Sequence, residues 1–565
     1  MLSLLQAEEI RNAVVEYLKA TYNFDDKNVE QAFEDFLYAK RGVNTKKDAA
    51  NYRDGMFKGP YIQIRLPFEQ IDNSINLADV LTIAPNFAPY QHQYQAFKRL
   101  STQNNKPQPV ILTTGTGSGK TESFLYPLLD YCYKNMNRPG IKAVILYPMN
   151  ALATDQARRL AQAIYNYQNS AGEHVLRGNI RAGLFIGEGR NKAKDRPTRM
   201  EEQRIIEDRQ TLLQSPPDIL LTNFKMLDYS LLQAQYHPLW KYNYTDSSLF
   251  KFIVLDELHT YDGAKGSDVA SLIRRLKLKL NIGNDQLVPV GTSATMAGGA
   301  DGKNELVKFF SLIFAIDVDS SAVIEEKRQD PELFFDETLE EPVFDLGKIN
   351  QCDFFEADEY ESYVERQLSL WGYSPQPDVL LTQLKKNRWL FHLVDLASKG
   401  VVELDETTTY WLSRCFLAGK VTYQQGFRLL QSLTGILYYA KEQSGSQYTP
   451  FVFFQTSYWV RSLHRILKKM QPGPVFAWQS DLNPNEKIKA LPPYYCRDCG
   501  GSGWLGLKKE GNDYLEDDLT KIRTLFMAER QNKNVYFIKK NSRTNVPSYL
   551  TLLIKPSTNQ IPISV

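Results

Sequence analysis

Between about residues 86 and 320, short and nearly continuous apolar runs alternate with longer stretches whose apolar residues recur at helical spacing. The runs are Val110-Ile-Leu112, Ala143-Val-Ile-Leu-Tyr147, Gly183-Leu-Phe-Ile186, Ile219-Leu-Leu221, Phe252-Ile-Val-Leu255 and Val288-Pro-Val290. Such runs lack the polar alternation of a half-exposed strand. They predict strands buried on both faces, and the helices between them predict a parallel sheet covered on both sides. In sheets of that kind ligands bind beyond the carboxyl ends of the strands, so the residues just past each run hold the chemical interest.

The flanks differ. Residues 1–85 read as an accessory segment: Ile10, Val14, Val15, Leu18, Phe33, Phe36 and Leu37 recur at helical spacing, and Tyr61-Ile-Gln-Ile-Arg-Leu-Pro67 alternates like a strand. Residues 321–450 open with clustered Asp and Glu and continue as amphipathic helices, Leu380 to Leu396 and Gly426 to Tyr439 among them, so this span reads as a mostly helical insertion. Residues 451–510 hold a cysteine pair. Residues 511–565 contain two strand-like runs, Asn534-Val-Tyr-Phe-Ile538 and Tyr549-Leu-Thr-Leu-Leu-Ile554, and read as the start of an incomplete second domain. The expected fold class is α/β: a P-loop domain with a parallel sheet over 86–320, plus the helical insertion and the incomplete second α/β domain.

Composition constrains this picture without changing it. A chain of 565 residues exceeds one core and predicts about three or four domains. Its 43% hydrophobic and 23% charged content is ordinary for globular proteins. A formal net charge of +2 gives no global basic signal, so any nucleic-acid surface is local. Five cysteines do not make a disulfide framework and fit a reducing compartment. The first ten residues meet acidic side chains at once and show no signal peptide. No apolar stretch approaches the roughly 18 residues that span a bilayer. These features predict a soluble, cytoplasmic protein.

Three segments past the strand runs carry chemistry. Thr113-Thr-Gly-Thr-Gly-Ser-Gly-Lys-Thr-Glu122 is a strand, glycine-rich turn and helix start. Gly115, Gly117 and Gly119 let backbone N–H groups converge on phosphate oxygens, and the helix dipole favours the anion. Thr116, Gly117, Ser118 and Gly119 form the cradle, Lys120 reaches the β- and γ-phosphates, and Thr121 ligates Mg²⁺. The strict pattern wants glycine at 114, where this chain has Thr114. Asp256 and Glu257 follow the run ending at Leu255: Asp256 suits magnesium, and Glu257 suits orienting or deprotonating water. An Asp-Glu pair is common by itself, and the upstream P-loop gives it meaning. His259 and Ser293-Ala-Thr295 follow in order, and read as a coupling element between nucleotide and track.

The order T-G-T-G-S-G-K-T, D-E-L-H, S-A-T resembles superfamily 2 helicases of the DEAD/DEAH kind, whose ATP-binding domain is RecA-like. Tyr90-Gln-His-Gln-Tyr-Gln-Ala96 resembles their adenine-reading motif, which implies that Gln93 bonds the adenine edge while Tyr90 or Phe87 stacks on the base. Tyr147-Pro-Met-Asn-Ala-Leu-Ala-Thr-Asp-Gln156 and Thr222-Asn223 resemble the motifs that contact the backbone of a bound strand, implying Pro148, Asn150, Thr222 and Asn223 as nucleic-acid contacts. The wording Y-P-M-N-A-L-A, D-E-L-H-T-Y-D-G and Y-C-R-D-C-G is similar to the Lhr-like group with YprA/MrfA-type DNA helicases. That likeness implies ATP, Mg²⁺ and DNA as partners. The residues themselves do not separate DNA from RNA, since backbone-tracking contacts read neither base nor sugar. An RNA helicase and a non-hydrolysing nucleotide-binding scaffold stay open beside it.

Cys496-Arg-Asp-Cys499, followed by Gly500, Gly501 and Gly503, is half of a zinc-ribbon pattern. It is either a zinc site completed elsewhere or a glycine-rich turn with two free thiols. Cys132 falls among Phe124, Leu128 and Leu129 and reads as a core thiol. The Q-x-x-G-R-x-G-R element with which a second RecA-like domain reaches the γ-phosphate does not occur in the 565 residues. Arg523, Arg530 and Arg543 lack its neighbours, so either the chain is a fragment holding the N-terminal half of a motor, or a downstream polypeptide supplies the rest, or this copy is degenerate.

Overall fold

The computed structural model describes residues 3–38, 56–72, 74–103, 106–115, 117–187, 196–283, 285–294, 299–353, 360–444, 447–471, 473–487, 489–498, 500–508, 514–516, 535–539 and 560–562. The chain divides into two compact units, one of Met1–Pro67 with Asp330–Val565 and one of Phe68–Gln329.

The second unit is the parallel sheet that the apolar runs predict. Its strands are β1 (Val110–Thr113), β2 (Ala143–Leu146), β3 (Ala182–Phe185), β4 (Ile219–Thr222), β5 (Phe252–Leu255), β6 (Val288–Ser293) and β7 (Val323–Glu325). They form one seven-stranded sheet in the order β3-β4-β2-β5-β6-β1-β7, with every neighbouring pair parallel. The edge strand β7 has no counterpart among the runs named from sequence, because only two of its three residues, Val323 and Ile324, are apolar.

Alternate residues of the strands feed two different cores, as a sheet buried on both faces requires. Val110, Leu112, Ala143, Ile145, Ile219, Leu221 and Val254 pack with helices α1 (Gln91–Leu100), α2 (Lys120–Lys134) and α3 (Asn150–Asn166). Ile111, Val144, Leu146, Leu220, Ile253 and Leu255 pack with α4 (Phe224–Leu232), α5 (Gly263–Lys279) and α6 (Gly299–Phe314). Cys132 is a fully buried member of the first of these cores, and burial raises its thiol pKa well above the usual value.

The first unit joins both ends of the chain. Strand Phe57–Arg65 pairs antiparallel with Phe453–Val460, Ile62 opposite Thr456 and Ile64 opposite Phe454. Ile62, Ile64 and Leu66 enter a core with Tyr363, Leu390, Trp411 and Leu433. Most of that core comes from the helices Tyr360–Trp371, Pro377–Lys386, Arg388–Ala397, Leu404–Arg414 and Tyr423–Tyr439. The periodic stretch Leu380–Leu396 is broken at Asn387, whose side chain caps the second helix by accepting the Leu390 N–H at 3.0 Å. Helices Ser3–Thr21 and Lys27–Tyr38 place Val15, Phe33 and Leu37 against Ile466, Phe476 and Trp478.

Pro493–Tyr495 and Ser502–Lys508 form an antiparallel pair around the cysteine segment, and Val535–Lys539 adds to the second of these strands. The run at Tyr549 to Ile554 lies outside the described residues. Among the described residues no helix is long and apolar enough to cross a membrane.

Candidate functional site

The carboxyl ends of β1, β2, β4, β5 and β6 present the described residues of the P-loop, the acidic pair, the coupling element and the expected strand contacts, while Gln93 and Tyr90 come from α1 and its N-cap. Past β1 the chain turns through glycines that hold φ at +79° (Gly117) and +75° (Gly119). Gly119 is the N-cap of α2 in the left-handed region, where a side chain is disfavoured. Space forbids one as well: a Cβ on Gly119 would lie 2.2 Å from Gln93 Nε2. Lys120 and Thr121 begin the helix that follows. Thr116 lies outside the described residues.

Helix α1 holds this loop from the side. Gln93 Nε2 donates to the Gly119 carbonyl at 3.1 Å, and Gln93 Oε1 accepts the Tyr90 N–H at 2.9 Å. The neighbouring His92 places Nε2 2.8 Å from the Ser118 carbonyl. A carbonyl only accepts, so Nε2 carries the proton. Burial lowers the His92 pKa, and its Nδ1 has no hydrogen-bond partner among the described residues. Ser118 is buried and donates to Thr114 Oγ1 at 2.6 Å. Two consecutive side chains of α1 thus grip two consecutive loop carbonyls. Gln93 is only 2% exposed, and Tyr90 stacks on His92 with ring centroids 5.6 Å apart. Phe87 is exposed and meets Tyr126 edge-on.

The acids sit two strands away. Leu255 lies opposite Gly291 in the β5–β6 ladder, which sets Asp256 beside Thr292. The Thr292 hydroxyl donates to Asp256 Oδ1 and accepts the Glu257 N–H at 3.1 Å. Glu257 adopts φ +51°, a left-handed turn that is costly for a residue with a Cβ and is fixed here by that amide bond. Its carboxylate lies 3.9 Å from Lys120 Nζ. Burial raises the Asp256 pKa and the Glu257 charge adds to the shift, while the Thr292 hydrogen bond and Lys120 oppose it. His259 is 47% exposed on its side chain, with Nδ1 3.5 Å from Glu257 Oε2 and 3.3 Å from Ser293 Oγ. Thr295 lies outside the described residues. Thr121 Oγ1 lies 3.5 Å from Gln156 Oε1 of α3.

Farther along the same edge, Asn223 Nδ2 donates to Asn150 Oδ1 at 2.7 Å, and Asn223 Oδ1 caps α4 through the Met226 N–H. Asn150 is exposed and Pro148 half-buried. Thr222 is fully buried and its hydroxyl donates to the Phe185 carbonyl. It fixes the strand end that presents Asn223 and offers no surface of its own.

Sequence reasoning missed Thr292 and His92. Thr292 precedes the S-A-T segment, and the β5–β6 register that brings it to Asp256 cannot be read from one strand. His92 sits beside Gln93 in the resembling motif but was not singled out.

In the other unit, Cys496 is half-buried in a tight turn in which its N–H donates to the Gly501 carbonyl and its carbonyl accepts the Gly500 N–H. Cys499 lies outside the described residues, and among the described residues no three metal-ligating side chains cluster. Cys352 and Cys415 are buried in the helical core.

Residues 90–301 match the family model of the DEAD/DEAH box helicase. The chain is 28% identical over 331 residues to Druantia protein DruE of Escherichia coli, a match covering 43% of this chain and 18% of that protein. It is 30% identical over 211 residues to the uncharacterized ATP-dependent helicase YprA of Bacillus subtilis, covering 37% and 23%. A crystal structure of the DUF1998 helicase MrfA bound to DNA and AMPPNP aligns at 24% identity and a TM-score of 0.34, covering 51% of this chain and 34% of that one. The matches span less than a quarter of the length of either curated relative.

Proposed function

We propose, on the match of residues 90–301 to the DEAD/DEAH box helicase family model, that the chain is the ATP-binding half of an ATP-dependent nucleic-acid helicase or translocase that acts on DNA. The observation that carries the reading is the convergence of Lys120, Asp256 and Glu257 at one sheet edge, with Lys120 Nζ 3.9 Å from Glu257. A lysine at the head of a glycine-wrapped helix is placed for the β- and γ-phosphates. Thr121 and Asp256 are a hard-oxygen donor pair suited to Mg²⁺, which when bound neutralises phosphate charge. Glu257 is held by its own amide with the carboxylate facing Lys120, and its role is to orient and deprotonate the attacking water. His259, between Glu257 and Ser293, is the group through which that carboxylate is felt at the end of β6. Gln93 gives the adenine edge a partner, and Asn150 with Asn223 forms the polar step on which a strand backbone rests.

The likeness to the Lhr-like group favours DNA over RNA. The spacing of Cys496 and Cys499 supports reading them as half of a structural zinc site. A partner RecA-like domain supplies the arginines that the 565 residues lack. That lack favours a second reading, a nucleotide switch without turnover, and the same experiment separates the two. Phosphate release is measured with an arginine-bearing second RecA-like domain supplied, with no nucleic acid, with single-stranded DNA and with single-stranded RNA, alongside calorimetric MgATP binding by wild type and Lys120→Ala. Loss of binding on Lys120→Ala with DNA-stimulated release by wild type supports the motor. Binding without release under any condition supports the switch, and equal MgATP affinity in both proteins rejects the site.

A further inference from the structure

The parallel-sheet unit begins and ends along two segments that pair with each other. Phe68 bridges Arg328 in antiparallel fashion, and the Glu69 N–H donates to the Lys327 carbonyl at 2.9 Å. Both segments reach the nucleotide loops. On the incoming side the Gln91 N–H donates to the Glu69 carbonyl at 2.8 Å, which ties the start of α1. On the outgoing side β7 lies against β1 with Glu325 opposite Thr113. One residue later, Glu326 Oε2 accepts the Gly115 N–H at 2.6 Å, at the neck of the P-loop.

A carboxylate at that place is unexpected. The loop gathers a polyphosphate, and an uncompensated negative charge at its neck repels one. A neutral acceptor would satisfy the same N–H. The structure supplies the compensation: Arg328 Nε donates to Glu326 Oε1 at 2.8 Å, with the two side chains only 19% and 15% exposed. The guanidinium is held in turn over the Phe68 ring, 4.0 Å from its centroid, and Phe68 packs against Tyr90 and His92 at 5.0 and 5.5 Å. A charge-assisted bond to a backbone amide is the strong kind, and here it is combined with local neutrality.

We propose that Glu326 and Arg328 are positioning residues of the nucleotide site: Glu326 fixes the neck of the P-loop, and Arg328 cancels the Glu326 charge so that the loop accepts a triphosphate. This rests on the nucleotide-binding reading of Lys120 and Thr121. It makes Arg328 act through charge, not through contact with the nucleotide, and the two kinds of action respond differently to a second substitution.

The test is a two-by-two set of full-length proteins: wild type, Glu326→Gln, Arg328→Met and the double variant. Methionine keeps an apolar stem over Phe68, and glutamine keeps an oxygen for the Gly115 amide. MgATP and AMP affinities are measured by calorimetry. Arg328→Met is expected to weaken MgATP binding about tenfold, the effect of roughly 1.4 kcal/mol of repulsion, and to weaken AMP less because AMP carries less charge. The double variant is expected to return to within about twofold of wild type. Glu326→Gln alone is expected to bind MgATP as well as wild type or better, and this arm stands even if Arg328→Met fails to fold. Equal weakening for ATP and AMP, no rescue in the double variant, or a large loss in Glu326→Gln overturns the proposal while leaving the nucleotide reading intact. A wild-type protein that binds no MgATP overturns that reading, and the positioning roles of Glu326 and Arg328 with it.

Discussion

The Thr292 hydroxyl accepts the Glu257 amide at 3.1 Å and so holds the acidic turn in its left-handed conformation. Thr292 is fully buried. Replacing it by valine leaves the amide and one Asp256 oxygen without that partner, at about 1–3 kcal/mol for a buried polar group left unmade. Thr292→Val should lower the melting temperature and impair phosphate release, whereas Thr292→Ser should sit near wild type in both. A serine variant as impaired as the valine one would contradict the hydroxyl's role. With an arginine-bearing second domain supplied, Glu257→Gln should keep MgATP bound and reduce turnover by about 10²–10⁴, the range for a lost general base. A wild-type release rate in Glu257→Gln would remove Glu257 from the chemistry.

Asp256 places function against stability. Its folded pKa is raised, chiefly by burial, so the folded state favours the protonated form. The sign follows: its unfavourable contribution is absent below the ordinary carboxylate range and grows as pH rises through that range toward the raised folded value. Asp256→Asn keeps an oxygen for the Thr292 hydroxyl and removes the charge. In nucleotide-free protein at pH 7 it should raise the melting temperature, at about 2–4 °C per kcal/mol for a domain of this size, with the gain vanishing at acidic pH. The same variant should lose magnesium-dependent nucleotide binding. A lower melting temperature at neutral pH would show that the charge is fully compensated in the folded state.

Gly119 is constrained twice, by its positive φ and by Gln93 at 2.2 Å from any added Cβ. Gly119→Ala should cost about 1–2 kcal/mol for the left-handed backbone alone and should displace Gln93. Nucleotide affinity should fall at least tenfold, with Gly117→Ala less affected because nothing stands within 4 Å of its added Cβ. Comparable losses at both positions would mean that space around Gln93 does not matter.

Asn150 and Asn223 bond to each other across the ends of β2 and β4. Single-stranded DNA binding should weaken as salt rises, as expected when cations leave phosphates. Asn150→Ala should lower affinity. Asn223→Ala should do the same and also destabilise the fold by about 1 kcal/mol through the lost cap of α4. Affinity indifferent to both substitutions would move the track elsewhere.

Turnover by residues 1–565 alone should be weak. Transition-state arginines are worth about 10³–10⁵ in phosphoryl transfer, and no Q-x-x-G-R-x-G-R element lies in this sequence. Hydrolysis should rise by orders of magnitude when an arginine-bearing second domain is supplied. Robust DNA-stimulated turnover without it would assign that role to Arg523, Arg530 or Arg543, or to self-association.

The parallel sheet was legible because apolar runs such as Phe252–Leu255 leave little alternative to burial on both faces, and the residues that follow them were legible for the same reason. What was not legible depends on register and long separation. Thr292 reaches Asp256 only through the pairing of Leu255 with Gly291. Glu326 reaches Gly115 only because a strand with just two apolar residues lies beside β1. Thr222 matched the motif wording, yet its side chain points into the sheet and not toward a track. The helix break at Asn387 shows the opposite case, in which a local cap overrode an unbroken apolar period.

Strand Phe57–Arg65 pairs with Phe453–Val460, and the whole of the nucleotide-binding unit is encoded between them. On the ribosome the first strand therefore emerges long before its partner, at ordinary rates of about 5–20 residues per second. The parallel-sheet unit can close on itself in that interval, because its own ends, Phe68 and Arg328, meet each other. Ile62, Ile64 and Leu66 cannot. They wait, apolar and unpaired, until the last third of the chain has been made. The nascent protein thus has a built-in order of maturation, nucleotide unit first, and a window in which this strand and the two N-terminal helices lack the residues they pack against.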